Sequence, residues 1–534
     1  MSRFNSITSL SESPLVEGLL YAGTDDGLIH VSEDGGANWR RIDSLPGVPA
    51  RFFVNDIKAD LHDPDTVYVV VDDHKSGNFA PFILKSENRG RRWQSIASNL
   101  PERHVLWRVV QDHVKPELMF LGSEFGVFFT VNGGGSWTKL KGKVPNIAFR
   151  DLAIQQREDD LVGGTFGRGI YLLDDYSALR DVSENLLKSE TRLFPVRETR
   201  WYVPRRPLGC SAPGCVDSQG DAFYVAPNPP SGAVFTYYLP EKLQTAQAAR
   251  FDEEKEREKK NESVQFPGWA QILEEELEDE PAVVFAVQDA DGMTVRYVPG
   301  PVEAGFHRVA WDLRYPALDP WVPEAERALR WQEPAGVLAT PGTYSVTMYR
   351  RVDGEWNDMG QVQSFDVVSI REPTLPGSSQ DERVAFDRQV DELRRATNGS
   401  VKAIDAIVAE LDAVKETLGS ANAERALYTE ANDIQQALKR EKTRLAGHDT
   451  RAQFNEAGPV SVQSRLSHAR YSPDANAHGP TQTQRMSLNI ARDVYAEVHG
   501  ALSALDRRYE SLKNALDGAG VPWTPGRGVQ ATAF

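Results

Sequence analysis

The pattern of hydrophobic and polar positions changes its periodicity along the chain. Over roughly the first third, short apolar runs end at Gly, Asp or Asn, which is the pattern of strands joined by tight turns. From residue 379 onward, apolar residues recur at spacings of three and four, as in Val401, Ile404 and Ile407. The sequence therefore predicts a mainly β protein with an α-helical C-terminus.

An octad with the pattern Ser/Thr-x-Asp/Asn-x-Gly-x-x-Trp occurs three times, at 32–39, 86–93 and 130–137. Its fixed positions are Ser32, Asp34, Gly36 and Trp39, then Ser86, Asn88, Gly90 and Trp93, then Thr130, Asn132, Gly134 and Trp137. The tryptophans lie 54 and 44 residues apart, which is about the length of one four-stranded blade of a β-propeller. The repeats therefore predict consecutive propeller blades.

The octad has the chemistry of a tight turn. A hydroxyl and a short carboxyl or amide side chain bond the backbone amides of such a turn, and glycine accepts a positive φ. We predict that each octad is the hairpin between the third and fourth strands (C and D) of a blade, with its Trp folded back as an apolar plug. In the second blade the pattern predicts strands A to D near 53–59, 66–71, 81–86 and 92–97.

Related segments accompany the octads. YAGTDDGLIH (21–30) precedes the first octad, FLGSEFGVFF (120–129) precedes the third, and VGGTFGRGIY (162–171) opens a fourth, degenerate unit. We therefore expect about four blades, the first of which has only 6–10 to form its strand A.

These octads and segments resemble the Asp-box (BNR) repeats of sialidases, xyloglucanases and the luminal domain of sortilin. The whole chain resembles the C-terminal half of large sortilin-like bacterial proteins that are often named glycosyl hydrolases. The resemblance implies a β-propeller with more than four blades, so we expect either that N-terminal blades are missing or that another chain closes the ring. Such relatives look exported, but the N-terminal sequence does not read as a signal peptide.

The change of period predicts three domains, at 1–185, 186–375 and 376–534. The second domain is predicted to be a β-sandwich that resembles a flagellar-hook-cap-type immunoglobulin-like domain. Its strand-like runs are 233–239, 282–287, 305–313 and 343–349. Its charged insert at 241–281 predicts a solvated hairpin extension or a short helix.

The third domain is predicted to be a small up-and-down helical bundle, with coiled-coil dimerisation as the alternative. Helix ends are predicted at Asn398–Gly399 and at Leu418–Gly419. Residues 447–480 are predicted to form a loop, and 522–528 a docked tail.

Propeller topology divides the polar residues between two faces. The octads, as C–D turns, lie on the face away from the usual ligand site, so we assign their polar residues a structural role. The opposite face carries the loops between strands B and C and those that join one blade to the next (D to A). Candidates for catalysis there are Asp25, Asp26, Asp73 and Glu124, and candidates for substrate binding are Arg51, His74, Arg108, Arg150 and Arg168.

Carboxylates and arginines on one face point to carbohydrate chemistry. Glycoside hydrolysis needs two carboxyl groups that flank the bond, one of them protonated. Several arginines suit the carboxylate of an acidic sugar. The chain lacks the Phe/Tyr-Arg-Ile-Pro segment of sialidases, and no Tyr–Glu nucleophile pair can be assigned. Two hypotheses follow: a carbohydrate-active hydrolase, or a non-catalytic sortilin-like propeller that binds a peptide or a glycan.

The composition of the chain excludes some classes of binding partner. With 60 Lys and Arg against 77 Asp and Glu, the net charge is −17, which excludes general attraction to nucleic acid or anionic membranes. No window approaches the roughly 20 apolar residues that cross a bilayer, and no metal or cofactor motif is present. Cys210 and Cys215 either form a local disulfide or remain thiols. We expect any oligomer to form through the helical bundle or an open propeller edge.

Overall fold

A computed structural model of the chain describes residues 6–183, 185–186, 190–203, 226–327, 334–371, 374, 376–470 and 478–529. Contacts divide the chain into two compact units. The first unit comprises 1–194, 236–241 and 304–306, and the second comprises 195–235, 242–303 and 307–534. The division into three domains stays a prediction. Cys210 and Cys215 lie outside the described residues.

The first unit contains four antiparallel sheets, each built from consecutive strands in the orders β1-β2-β3-β4, β5-β6-β7-β8, β9-β10-β11-β12 and β13-β14-β15. The strands are β1 Ile7–Glu12, β2 Leu20–Thr24, β3 Ile29–Ser32, β4 Arg40–Ile42, β5 Phe53–Ala59, β6 Val67–Asp73, β7 Asn78–Ser86, β8 Gln94–Ser95, β9 Leu106–Gln111, β10 Met119–Ser123, β11 Gly126–Thr130, β12 Thr138–Lys139, β13 Phe149–Gln155, β14 Asp160–Thr165 and β15 Ile170–Leu173. A short 3₁₀ helix at His74–Ser76 lies between β6 and β7, and another at Ser177–Asp181 follows β15.

These sheets are four consecutive blades of a β-propeller. The first strands of successive sheets are neighbours, β1 beside β5, β5 beside β9 and β9 beside β13, which is how innermost strands gather around a propeller axis. The second and third sheets are each covered on both faces by neighbouring sheets. Strand β6 of the second sheet is therefore an almost continuous buried apolar run, without the alternation of a strand that has one face in solvent. The predicted blade arrangement is confirmed.

Each octad closes its C–D turn by the predicted side-chain bonds. In the first octad the Ser32 hydroxyl accepts the Gly36 N–H at 2.8 Å, and the Asp34 carboxylate accepts the Ser32 hydroxyl at 2.9 Å and the Asn38 N–H at 2.8 Å. The second and third octads repeat these contacts with an amide oxygen in place of the carboxylate. The octads are therefore structural turns.

The octad tryptophans differ in burial, and the plug prediction is wrong for Trp39. Trp137 is buried in the core between blades 2 and 3, and Trp93 packs against the core between blades 1 and 2. Trp39, however, is 42% exposed. The reason is geometric, because each plug packs toward the preceding blade and no blade precedes blade 1 among the described residues.

Glycines in strand B let the next blade approach. A Cβ on Gly122 would lie 2.7 Å from the Phe149 carbonyl oxygen of blade 4. We expect Gly122→Ala to lower the free energy of unfolding by about 1–3 kcal/mol because the blades must shift apart, measured by urea denaturation. Gly399→Ala is the control, since nothing lies within 4 Å of its added Cβ and alanine favours a helix. A Gly122→Ala protein as stable as the wild type would contradict this close approach.

The strands after the blades form two further sheets. They are β16 Arg192–Leu193, β17 Thr199–Trp201, β18 Ala233–Leu239, β19 Ala282–Gln288, β20 Thr294–Gly300, β21 Gly305–Trp311, β22 Gly342–Val352 and β23 Glu355–Ser369. Their orders are β16-β18-β21 and β17-β23-β22-β19-β20. The charged insert is helical, with α1 Ala246–Lys259 and α2 Trp269–Glu275, and a short helix α3 spans Glu324–Arg327.

The C-terminal region is helical, as predicted, and its helices share one apolar core. They are α4 Gln380–Leu418, α5 Arg425–Ala446, α6 Asp449–Gln453, α7 Val462–Arg470 and α8 Gln482–Gly518. Arg527 anchors the tail to Asp517 with a 2.8 Å bond from its Nε, so the predicted docking is confirmed. Among the described helices, none combines the length and apolar composition that a membrane crossing requires.

Two predictions about this helical region are wrong. Helix α4 continues through Asn398–Gly399, because buried residues on both sides, such as Val390 and Ile404, pack in the same core and offset the roughly 1 kcal/mol cost of a helical glycine. The predicted loop at 447–480 contains α6 and α7. Helix α7 forms because Val462 and Leu466, four residues apart, are buried on one face. The predicted end at Leu418 is confirmed.

Candidate functional site

The candidate residues lie on the loops that the strand order predicted. Asp25 and Asp26 follow strand β2, Asp73 and His74 fall at the end of β6, Glu124 follows β10 and Arg168 follows β14, so all belong to B–C loops. Arg51 lies between β4 and β5, while Arg108 and Arg150 lie near the starts of the innermost strands β9 and β13. The B–C loops and the starts of the A strands share one end of the blades.

Three blades contribute to one group of contacts, which we call the Trp107 cluster: His74, Trp107, Glu124, Arg150 and Phe166. The indole Nε1 of Trp107 donates to the Glu124 carboxylate at 3.0 Å. The Arg150 guanidinium lies 3.4 Å from the centre of a Trp107 ring, and its Nη2 lies 3.8 Å from the same Glu124 oxygen. Arg150 is thus held over an aromatic face beside a carboxylate, a geometry that favours a fixed cation.

Two more rings belong to the cluster, His74 from blade 2 and Phe166 from blade 4. The His74 ring meets Trp107 edge-on with centroids 6.0 Å apart, and the exposed Phe166 ring lies 5.4 Å from the Arg150 guanidinium carbon. Two predicted binding residues, His74 and Arg150, and one predicted catalytic carboxylate, Glu124, are therefore brought together.

A buried carboxylate positions His74. Asp72 accepts a hydrogen bond from His74 Nδ1 and a 2.8 Å bond from the Asn55 amide. The same Asn55 amide donates to the Leu106 carbonyl at 2.8 Å, which ties blade 2 to blade 3. The imidazole is therefore held by a network that also joins the blades.

The acids of blade 1 make contacts within their own blade. Asp25 accepts the Ser6 backbone N–H at 2.9 Å, and Asp26 accepts the Thr24 hydroxyl at 2.6 Å. Asp73, in blade 2, is half-buried and precedes the 3₁₀ helix at His74–Ser76. Among the described residues, these three carboxylates make no hydrogen bond or ion pair with the Trp107 cluster.

The four predicted arginines divide into two kinds. Arg108 is half-buried, with Nη1 2.8 Å from Asp56 and Nε 2.7 Å from Asp151, so it braces the junction of three blades. Burial raises the pKa of the Asp56 carboxyl, and the charge of Arg108 opposes that rise. Arg51, Arg150 and Arg168 are exposed and accessible to a ligand.

Trp107 and Asn55 were missed by sequence reasoning, although the signal was present. Both occupy the same position of strand A as Arg150, next to the residue where the A–B pairing register shifts. Aligning the A strands would have placed these three side chains together.

A second set of polar residues, Asp112, His113 and Asp159, brings oxygen and nitrogen atoms within 4.8 Å of one another and has the donors of a metal site. The guanidinium of Arg180 already lies among them, with Nη2 2.8 Å from Asp112 and 2.6 Å from Asp159. A cation is therefore supplied by the chain, and the set fits a structural ion pair better than a metal centre.

No protein-family model and no curated protein matches the chain. Among solved structures, an ancestral GH74 enzyme is 16% identical over 44% of this chain and 31% of its own, with a TM-score of 0.27. YCF48 from Cyanidioschyzon merolae is 15% identical over 33% of this chain and 54% of its own, with a TM-score of 0.24. The Cps50 (Swd1) β-propeller domain of Myceliophteria thermophila is 11% identical over 36% of this chain and 63% of its own, with a TM-score of 0.26.

This chain spans less than a third of the length of the GH74 enzyme. At such TM-scores the neighbours say nothing about a ligand. The propeller assignment rests instead on the strand order and on the packing of blade against blade.

Proposed function

We propose that the propeller face formed by the B–C and D–A loops binds carbohydrate. The Trp107 cluster carries the proposal, because aromatic rings and charged groups from three blades lie together at one end of the inner strands. Ligand sites combine apolar walls with a few fixed polar groups. A sugar has an apolar C–H face for the exposed Phe166 ring and hydroxyl groups for the exposed Arg150 guanidinium.

We favour binding over hydrolysis. Three of the four candidate acids accept hydrogen bonds from their own protein: Asp25 from Ser6, Asp26 from Thr24 and Glu124 from Trp107. A hydrolase instead needs a pair of carboxyl groups free to act on opposite sides of one bond. Release of reducing sugar from a bound glycan, lost in Glu124→Gln, would overturn this preference.

The proposal includes an assignment for the other parts of the chain. The octads are of the Asp-box type, the two sheets after the blades form an immunoglobulin-like sandwich, and the C-terminal helices form a bundle. In this proposal the sandwich and the bundle are assembly modules, and the propeller provides the binding surface.

Arg150→Ala is expected to weaken glycan binding about tenfold or more, because a charged hydrogen-bond donor contributes roughly 1.5–3 kcal/mol. The measurement is a glycan array followed by calorimetric titration of the best ligand. Arg91→Ala is the matched control, since it removes an exposed arginine from an octad and should change affinity less than twofold. Equal losses in both variants, or binding of peptides alone, would refute a carbohydrate site at the Trp107 cluster.

A further inference from the structure

Each of the four A strands has a register shift at the same point of its pairing with strand B, so the shift identifies equivalent residues in the four blades. The residues that precede the register shift are Ile7, Val54, Leu106 and Phe149, and the apolar residues three positions later are Leu10, Ile57, Val109 and Leu152. In blades 2, 3 and 4 these residues are buried in cores shared with the preceding blade. In blade 1, Ile7 and Leu10 are each 66% exposed. Blade 1 therefore presents the side chains of a blade-to-blade junction, and no other blade of the described residues packs against them.

Blade 4 has an exposed apolar face on the side where a following blade would pack. Gly23, Val70, Gly122 and Gly164 hold equivalent positions in the B strands. The C-strand residues that pair with them are Ile29, Ile83, Val127 and Ile170. The first three are buried in cores shared with the following blade, whereas Ile170 is 69% exposed and its neighbour Leu172 is 60% exposed. Blade 4 therefore presents the receiving half of the same kind of junction.

Glycine geometry matches this assignment. Gly23 and Gly122 leave room for the next blade, because an added Cβ would meet Val54 at 2.3 Å and the Phe149 carbonyl at 2.7 Å. Gly164 holds the equivalent position in blade 4, and among the described residues an added Cβ there meets only Asp151 of its own blade, at 3.7 Å or more. At the junctions within the chain, the residue equivalent to Ile7 lies against this glycine, as Val54 does at Gly23 and Phe149 at Gly122. The space beside Gly164 is therefore the space that Ile7 of another blade would fill.

Polar groups add a second match. Ser9 accepts the Ile57 N–H at 3.0 Å and Asp56 accepts the Val109 N–H at 3.0 Å, each across a junction to the next A strand. Asp151 has the equivalent position in blade 4, and its side chain is 67% exposed, although its Oδ1 lies 2.7 Å from Arg108 Nε and accepts the Leu152 N–H at 2.9 Å. Its other carboxylate oxygen can accept the N–H of a further A strand.

We propose that the occupant of both faces is a second copy of this chain. Ile7 and Leu10 of one copy pack on Gly164, Ile170 and Leu172 of the other, and the two-fold axis repeats the contact, so the two copies close one eight-bladed ring. The molecule already makes this type of junction three times within the chain, and one copy supplies both of its halves. A two-fold pair satisfies both open faces at once, which closed symmetric assemblies require.

The test is native mass spectrometry of the full chain between about 1 and 50 μM, a range chosen to bracket micromolar dimer affinity. We expect a species of twice the 59.4 kDa of one chain. Leu10→Glu and Ile170→Glu should each shift the mass to the single chain and raise the dissociation constant at least about tenfold, because a charge would be buried at the junction. Both residues are exposed in one copy, so the thermal melt of the single chain should be unchanged.

Phe454→Glu is the control, since it places a charge on an exposed apolar residue of the helical region. The head-to-tail arrangement makes one further prediction: mixing the Leu10→Glu and Ile170→Glu chains restores a mixed dimer through the one intact junction. A wild-type chain that stays single, a dimer that only Phe454→Glu dissociates, an open series of larger species, or failure of the mixture to pair would each overturn the proposal.

Discussion

Replacing Trp137 with alanine is expected to lower the free energy of unfolding by about 3–5 kcal/mol, the range for removing a buried aromatic side chain. The indole is 3% exposed and lies in the core shared by blades 2 and 3, where its Nε1 donates to the Ile96 carbonyl at 2.8 Å. Truncation leaves a cavity between the blades and an unpaired carbonyl. Denaturant unfolding followed by circular dichroism measures the loss.

Trp39→Ala is the matched control, because it makes the same truncation in an octad of the same geometry. Its ring is 42% exposed, so we expect a loss of less than about 1 kcal/mol in a single copy. Trp93, which is partly buried, should fall between the two. Equal effects at Trp39 and Trp137 would mean that the tryptophans stabilise their own turns and do not join blades.

Asp112→Ala is expected to cost about 3 kcal/mol, since it breaks a buried ion pair. The carboxylate is fully buried and accepts bonds from the Tyr176 hydroxyl at 2.7 Å, from Arg180 at 2.8 and 2.9 Å, and from the Lys115 N–H at 2.7 Å. It therefore fastens the segment after blade 4 to blade 3. Asp43→Ala is the control, because the Asp43–Arg41 pair is exposed and should contribute less than about 1 kcal/mol.

The same carboxylate makes stability depend on acid. Burial by itself raises the pKa of Asp112, but the bonds from Arg180, Tyr176 and the Lys115 backbone outweigh burial and lower the pKa to about 2. A carboxyl whose pKa is lower in the folded state stabilises the fold above its unfolded pKa of about 4 and loses that contribution as the pH falls toward 2. The wild type should therefore lose stability over this range more steeply than Asp112→Ala. Parallel pH profiles would contradict this role.

The blades were predictable because their turns carry local chemistry. The hydroxyl, the short acceptor and the glycine of each octad make bonds within five residues, so spacing alone identified the C–D hairpins. Burial of the tryptophans was not local, because it depends on the preceding blade. Helix α4 shows the same limit: the glycine signal at 399 is local, and the apolar core that overrides it comes from other helices.

The sequence predicts which loops form the candidate face, but it does not predict which of their side chains are in contact. Strand order placed Glu124 and Arg150 on one face, but Trp107, which joins them, reads in sequence as one more strand residue. The pairing of Arg108 with Asp56 and Asp151 was not predictable, because these partners come from neighbouring blades. Pairing between blades is a tertiary property that no local spacing encodes.

The most direct test of carbohydrate binding is to follow the indole N–H signals by NMR while the best glycan from the array is added. Trp107 Nε1 donates to Glu124 beneath the Arg150 guanidinium, so a ligand at this cluster must change its environment. We predict a saturable shift of the Trp107 signal and an unchanged Trp93 signal on the octad face. A shift at Trp93 with none at Trp107, or the absence of any binding glycan, would contradict the proposed function.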